Sequence, residues 1–113
     1  MRYLVTPCLA LLCAALWLSP GVAAAHDATT DEARLAFTRG SAAYEAGRYD
    51  EALSAFQHAY ELTHAHELLY NIGSVAERLR RDELAIESYE GYLRATPGAS
   101  DRAAVEARLR ILR

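Results

Sequence analysis

The sequence predicts an all-α protein of two antiparallel helical hairpins followed by a C-terminal capping helix. Three observations carry this. The chain repeats itself at the fixed offset that sets Gly40 on Gly73, its apolar residues recur at helical spacing, and Gly47 and the Pro97-Gly98 pair interrupt the pattern where helices should end. At 113 residues, 52% hydrophobic and 24% charged, the chain is a single small domain at most, too short for a multidomain enzyme. Its formal net charge is −3, and every basic residue is arginine. Such mild acidity is the wrong balance for a protein that neutralises phosphate backbones, so nucleic acid is not expected as a partner.

Residues 1–25 read as a cleaved signal peptide. Leu4 to Leu18 is almost wholly apolar, Arg2 precedes it, and Ser19, Pro20 and Gly21 close it. Ala23, Ala24 and Ala25 supply the small-residue site that leader peptidase requires, which places cleavage between Ala25 and His26. The apolar stretch is shorter than the roughly 20 residues that cross a bilayer, so no stable membrane span is expected after cleavage. Cys13 follows Leu12 and Cys8 follows Pro7, which is not the setting of a lipid-modified cysteine. Both cysteines lie in the leader, so the exported chain would be stabilised by packing alone in an oxidising compartment. The expected location is periplasmic or secreted.

Residues 26–30 read as a flexible lead-in. The first helix is expected to begin near Thr30, where Thr29 and Glu32 have the spacing of a capping box. Two hairpins then occupy about 31–64 and 65–97. At the repeat offset Gly40 falls on Gly73, Phe37 on Tyr70, Ser41 on Ser74, Ala43 on Ala76, Ala52 on Ala85, Leu53 on Ile86 and Phe56 on Tyr89. In the first unit Leu35, Ala36, Ala42, Ala43 and Ala46 suggest one apolar stripe, and Ala52, Leu53, Phe56, Ala59 and Tyr60 a second. Small residues let the two helices approach, and Phe56 or Tyr89 fills the space beside them. Over 98–113, Ser100 or Asp101 can cap a last helix whose Val105, Leu109 and Leu112 share a face. Its arginines, Arg102, Arg108, Arg110 and Arg113, are expected to point outward with Glu106 and keep the array soluble.

The stretch from Gly40 to Leu62 resembles a tetratricopeptide repeat, on Gly40, Tyr44, Gly47, Tyr49, Ala52, Phe56 and Ala59. Tyr70, Ile72, Gly73, Ala85, Tyr89 and Pro97 carry the resemblance in the second unit. It covers about residues 33 to 97. The second unit and the final helix also resemble the small exported tetratricopeptide proteins common in myxobacteria and their relatives. Three departures stand out: Arg80 or Arg81 replaces the glycine between the helices of the second hairpin, Tyr92 replaces a small residue late in it, and the first hairpin ends at Thr63 and His64 without a proline. These bear on the turn and on the angle between hairpins.

The resemblance implies a short right-handed superhelix whose concave side holds an extended peptide or a partner's helix, with no chemistry. Carried onto this sequence, the partner-binding candidates are Arg34, Phe37, Ser41 and Tyr44 on the first helix, and Tyr70, Asn71, Ser74, Glu77 and Arg78 on the third. Thr38, Glu45 and Glu67 lie on the same faces. Phe37 and Ser41 stand where chaperone-binding members clamp a terminal carboxylate, and only Asn71 remains of that clamp, so a chaperone tail is not the expected ligand. The residues make sense of a groove independently, because Phe37, Tyr44 and Tyr70 offer flat amphipathic contact and Asn71 can bond a peptide backbone through its amide; the alternative is that these aromatics, Phe37 and Tyr44 above all, fill the hairpin interface instead. Two hairpins fall short of the roughly three repeats that bury a continuous core, so a partner or self-association would supply the missing contact.

The competing reading is a periplasmic copper or zinc carrier using His26, whose amine would be free after cleavage, with His58, His64 and His66. A closed zinc site takes four donors, and the chain after the leader has no cysteine. Glu51, Glu61, Glu83 and Glu87 are spaced as solvated helix faces, and no nucleophile, base and orienting acid converge, so no enzyme and no cofactor are expected.

Overall fold

The computed structural model describes residues 21–113, so the leader residues preceding Gly21, with Cys8 and Cys13, lie outside the described residues. Five helices follow in order: α1 Gly21–Glu45, α2 Tyr49–Thr63, α3 His66–Arg78, α4 Asp82–Ala95 and α5 Arg102–Leu112. α1 and α2 form the first hairpin, α3 and α4 the second, α3 packs on α2, and α5 packs on α4. Among the described residues there is no strand. No described helix is long and apolar enough to cross a membrane.

Each hairpin is held by one ring laid on the backbone of its first helix. A Cβ built on Gly40 would stand 2.8 Å from two ring atoms of Phe56, and one on Gly73 would stand 2.9 Å from two of Tyr89. Real side chains do not approach so closely, so only glycine admits this crossing. Phe56 and Tyr89 are accordingly buried, at 4% and 0% exposure. Around them sit two core clusters: Ala36, Ala43, Ala52, Leu53, Ala59, Leu68, Ile72 and Val75 with Phe56, then Ala76, Ala85, Leu93, Val105 and Leu109 with Tyr89.

The turn between the helices is the same in both hairpins despite the missing glycine. Gly47 has φ 75°, and Arg80, its counterpart at the repeat offset, has φ 59°. The amide N–H groups of Gly47 and Arg48 donate to Tyr44 and Ala43 at 3.0 and 2.8 Å; those of Arg80 and Arg81 donate to Glu77 and Ala76 at 3.1 and 2.9 Å. The departure in sequence therefore leaves the turn intact, and Arg80 carries the strain of a left-handed conformation that glycine avoids. His64, at φ 52°, closes α2 in the same region without a proline.

Several sequence expectations are corrected. α1 begins well before Thr30 and runs through residues 26–30, in place of a flexible lead-in. The capping box does not form: the Thr29 and Thr30 hydroxyls donate back to the carbonyls of Ala25 and His26, each at 3.0 Å, a pattern that belongs to a helix interior. The buried face of α1 is Ala33, Ala36, Gly40 and Ala43, whereas Leu35, Ala42 and Ala46 are exposed. Leu35 corresponds to Leu68, which is buried against α2; nothing among the described residues precedes α1 in the stack, so Leu35 is 67% exposed. Asp101 precedes α5 but makes no side-chain cap, because its carboxylate accepts the Tyr92 hydroxyl at 2.9 Å.

The α5 arginines also depart from expectation. Arg102 donates to the Leu93 carbonyl at 2.9 Å and to Glu106 at 3.0 Å, Arg108 donates to Glu77 at 2.9 Å, and Arg113 pairs with Glu90. Three of the arginines expected to point outward thus tie α5 to the second hairpin.

Thermal and denaturant unfolding should separate these effects by sign. Arg80→Gly should stabilise the protein by about 0.5 to 1 kcal/mol, since the relief of left-handed strain exceeds the added chain entropy. Gly40→Ala and Gly73→Ala should destabilise it, because the overlap with the ring, about 1 to 3 kcal/mol, outweighs a helix-propensity gain of about 1 kcal/mol. Phe56→Ala should cost about 3 to 5 kcal/mol. A melting shift for it under about 2 °C would contradict the packing, since 1 kcal/mol moves a domain of this size by about 4 to 8 °C.

Candidate functional site: the groove along α1 and α3

Arg34, Phe37, Ser41 and Tyr44 succeed one another on one face of α1, and Tyr70, Asn71, Ser74, Glu77 and Arg78 on one face of α3. The structure sorts these residues into four settings. Ser41, Tyr44, Tyr70, Asn71 and Ser74 line one cavity of about 390 Å³, with Glu45 and Phe56 of the first hairpin and Arg108 of α5. Arg34 and Phe37 line a separate apolar cleft of about 300 Å³ with Ala33, Ala59 and Leu68. Glu77 is held in a hydrogen-bonded chain, and Arg78 lies at the turn end, its guanidinium carbon 6.0 Å from the centroid of the Tyr49 ring.

In the main cavity the Tyr44 and Ser74 hydroxyls are 3.3 Å apart and join α1 to α3. The Ser74 hydroxyl, with the Arg78 guanidinium behind it, holds the Tyr44 phenol below its ordinary range against the opposing effect of burial. The Tyr44 ring meets Tyr49 edge-on at 5.4 Å. Tyr70 is both wall and core: its ring packs on Tyr89 at 5.8 Å and on Tyr92 at 5.6 Å. The half-buried Asn71 amide lines the cavity and takes no hydrogen bond among the described residues, which leaves a donor and an acceptor facing the groove.

Glu77, expected from the sequence to face a partner, is engaged within the chain through one carboxylate oxygen. The Tyr89 hydroxyl donates to its Oε2 at 2.8 Å, and Arg108 donates to the same oxygen at 2.9 Å. Burial, followed by the Glu77 carboxylate, pushes the Tyr89 phenol well above its ordinary range. Arg108 is the groove residue that sequence reasoning missed. A signal was present: on a helical projection Arg108 falls only about 60° from the Val105–Leu112 stripe, whereas Arg110 lies on the far side.

The histidines do not assemble. His58 on α2 bonds Glu32 of α1 at 2.8 Å, His64 is the C-cap of α2 with its ring 5.3 Å from that of Tyr60, and His66 begins α3. Among the described residues no group of three or more His, Cys, Asp or Glu is gathered to hold a metal ion, so the carrier reading finds no site. Glu51, Glu61, Glu83 and Glu87 are all exposed.

Two helical hairpins in series, each closed by a ring on a glycine and presenting its first helix to a shared groove, define a helical-repeat interaction module. The chain matches the tetratricopeptide repeat family over residues 37–100, more than half its length, and belongs to that family. Tetratricopeptide repeats generally mediate protein–protein interaction and are typically non-enzymatic. No curated protein matches the chain.

The Tyr89 hydroxyl gives a pH signature. Its pKa is raised on folding, so its stabilising contribution is complete below the unfolded value near 10 and is lost as pH rises above it, where only the unfolded chain ionises. Tyr89→Phe should cost about 1 to 2 kcal/mol at neutral pH. It should also flatten the fall in melting temperature above pH 10, measured against the parent by circular dichroism.

Proposed function

We propose that the protein is a non-enzymatic scaffold or adaptor of the bacterial cell envelope, exported by its leader, that binds a peptide or helix of a protein partner in the α1–α3 groove. The observation that carries this reading is the cavity of about 390 Å³ in which hydroxyls, tyrosine rings and the open Asn71 amide converge. Polar groups that fix orientation beside aromatic surface are the make-up of a recognition site rather than of a reaction centre. The leader-like stretch from Met1 to Ala25 and the resemblance to small exported members of the family support the envelope location.

A tagged pull-down from envelope extract tests both halves. Tyr70 belongs partly to the core, so the clean variant is Ser41→Arg with Asn71→Ala, with its fold verified by circular dichroism. The expected outcome is a protein retained by the parent and lost by the variant, with the exported chain beginning at His26 by N-terminal sequencing. Equal retention by the variant would remove the groove from the reading, and an intact Met1 start in the soluble cytoplasmic fraction would remove the envelope.

A further inference from the structure

The cleft beside Phe37 has a counterpart in the second hairpin that is already filled. Ala59 and Tyr92 correspond at the repeat offset and hold the same place late in α2 and α4. Phe37 and Tyr70 correspond likewise, and each packs on its hairpin's central ring at the same centroid distance, 5.8 Å, with interplanar angles of 52° and 59°. In the second hairpin the Tyr92 ring completes the arrangement, meeting Tyr70 edge-on at 5.6 Å. In the first hairpin the side chain at that place is a methyl group. What remains is an open apolar cleft of about 300 Å³ lined by Ala33, Phe37, Ala59 and Leu68, with Arg34 and Glu67 also on its wall. Phe37 is left 44% exposed, while Tyr70 is half-buried.

We propose that this cleft is the anchoring pocket of the groove and receives an aromatic side chain of an extended partner segment, in the position that Tyr92 takes in the second hairpin. The inference rests on the groove reading above and names the partner chemistry that reading leaves open. The occupant follows from the chain's own solution: an aryl ring set edge-on to the exposed Phe37 ring gains the quadrupolar contact that Tyr92 gains with Tyr70. It also covers the Phe37 ring, which is the apolar part of the lining that stands in water, since Ala33, Ala59 and Leu68 are buried. Glu67 offers an acceptor to the backbone that carries the ring, and Arg34, whose Nη1 donates to Asp31 at 3.0 Å, keeps further N–H donors for it. An aliphatic side chain fills the space without the ring-edge contact and is held less tightly.

The test is a titration of the 15N-labelled protein with N-acetylphenylalanine amide, with N-acetylalanine amide and N-acetylleucine amide as comparisons. Saturable shifts are expected at the amides of Ala33, Phe37 and Leu68, with affinity about ten-fold weaker for the alanine compound. Ala59→Tyr, at a buried position of the first core cluster, should fill the cleft from within and abolish the shifts where the variant folds. Phe37→Ala, at an exposed position, carries the same test should Ala59→Tyr fail to fold. No saturable shift, or unchanged binding in the folded variants, overturns the proposal, and equal affinity for the leucine compound overturns an aromatic anchor. Shifts at Ser41, Asn71 and Ser74 instead also overturn it while leaving the groove itself standing. That outcome is distinct from equal pull-down by the Ser41→Arg, Asn71→Ala variant, which removes the groove.

Discussion

The contact of a ring with bare backbone, Phe56 on Gly40 and Tyr89 on Gly73, governs both the packing and the groove. A Cβ at either glycine would lie within 3.0 Å of the ring, so the crossing of the two helices is set by the absence of one carbon atom. The same ring also packs on the aromatic one turn earlier on the first helix, Phe37 in one hairpin and Tyr70 in the other, at 5.8 Å between centroids. Three-residue spacing on a helix puts the glycine and that aromatic on neighbouring positions of one face. The groove's aromatic wall is therefore positioned by the contact that closes the hairpin, and a change at either glycine disturbs both.

A second regularity links successive units. Tyr44 and Glu77 hold the same place in their hairpins, and each reaches forward to the next helix that faces the groove. Tyr44 meets Ser74 on α3, and Glu77 accepts from Arg108 on α5. α5 thus stands where the first helix of a third hairpin would stand, with Val105 and Leu109 buried against the second hairpin. The residues making the link differ because the central rings differ. Tyr89 carries a hydroxyl that requires an acceptor when buried, and Glu77 supplies it, whereas Phe56 needs none and leaves that position to a tyrosine.

Much of this is legible in the residues. The glycine–aromatic pairs at a fixed offset disclose the hairpins, and Phe56 and Tyr89 stand out as the fillers because rings are scarce and their spacing is strict. What is not legible has physical causes. Alanine lies on several faces of α1, so its apolar phase is ambiguous, and Leu35 resembles a core residue until one sees that no described helix covers it. Arg80 tolerates the left-handed turn because the packing of the helices on either side over-determines it, and local propensity carries no trace of that. Long arginine side chains can lie outward or fold back; the helical projection marks Arg108 alone, and only the position of α5 shows that Arg102 and Arg113 fold back as well.

On the proposed reading one ligand would span both the apolar cleft and the polar cavity. Phe37 and Tyr44 lie two turns apart on α1, so the apolar cleft and the polar cavity are separated by about 10 Å along the helix. An extended chain advances about 3.3 Å per residue, so about three residues bridge them. On that reading a segment with its ring in the cleft would bring its following backbone amides toward the cavity that Asn71 lines. The walls need no ordering on binding, since Tyr44–Ser74 and Glu77–Arg108 already tie α1, α3 and α5 together. On that reading the entropic cost would fall mainly on the ligand, and an anchor that buries a ring would offset more of it per residue ordered than polar contacts can.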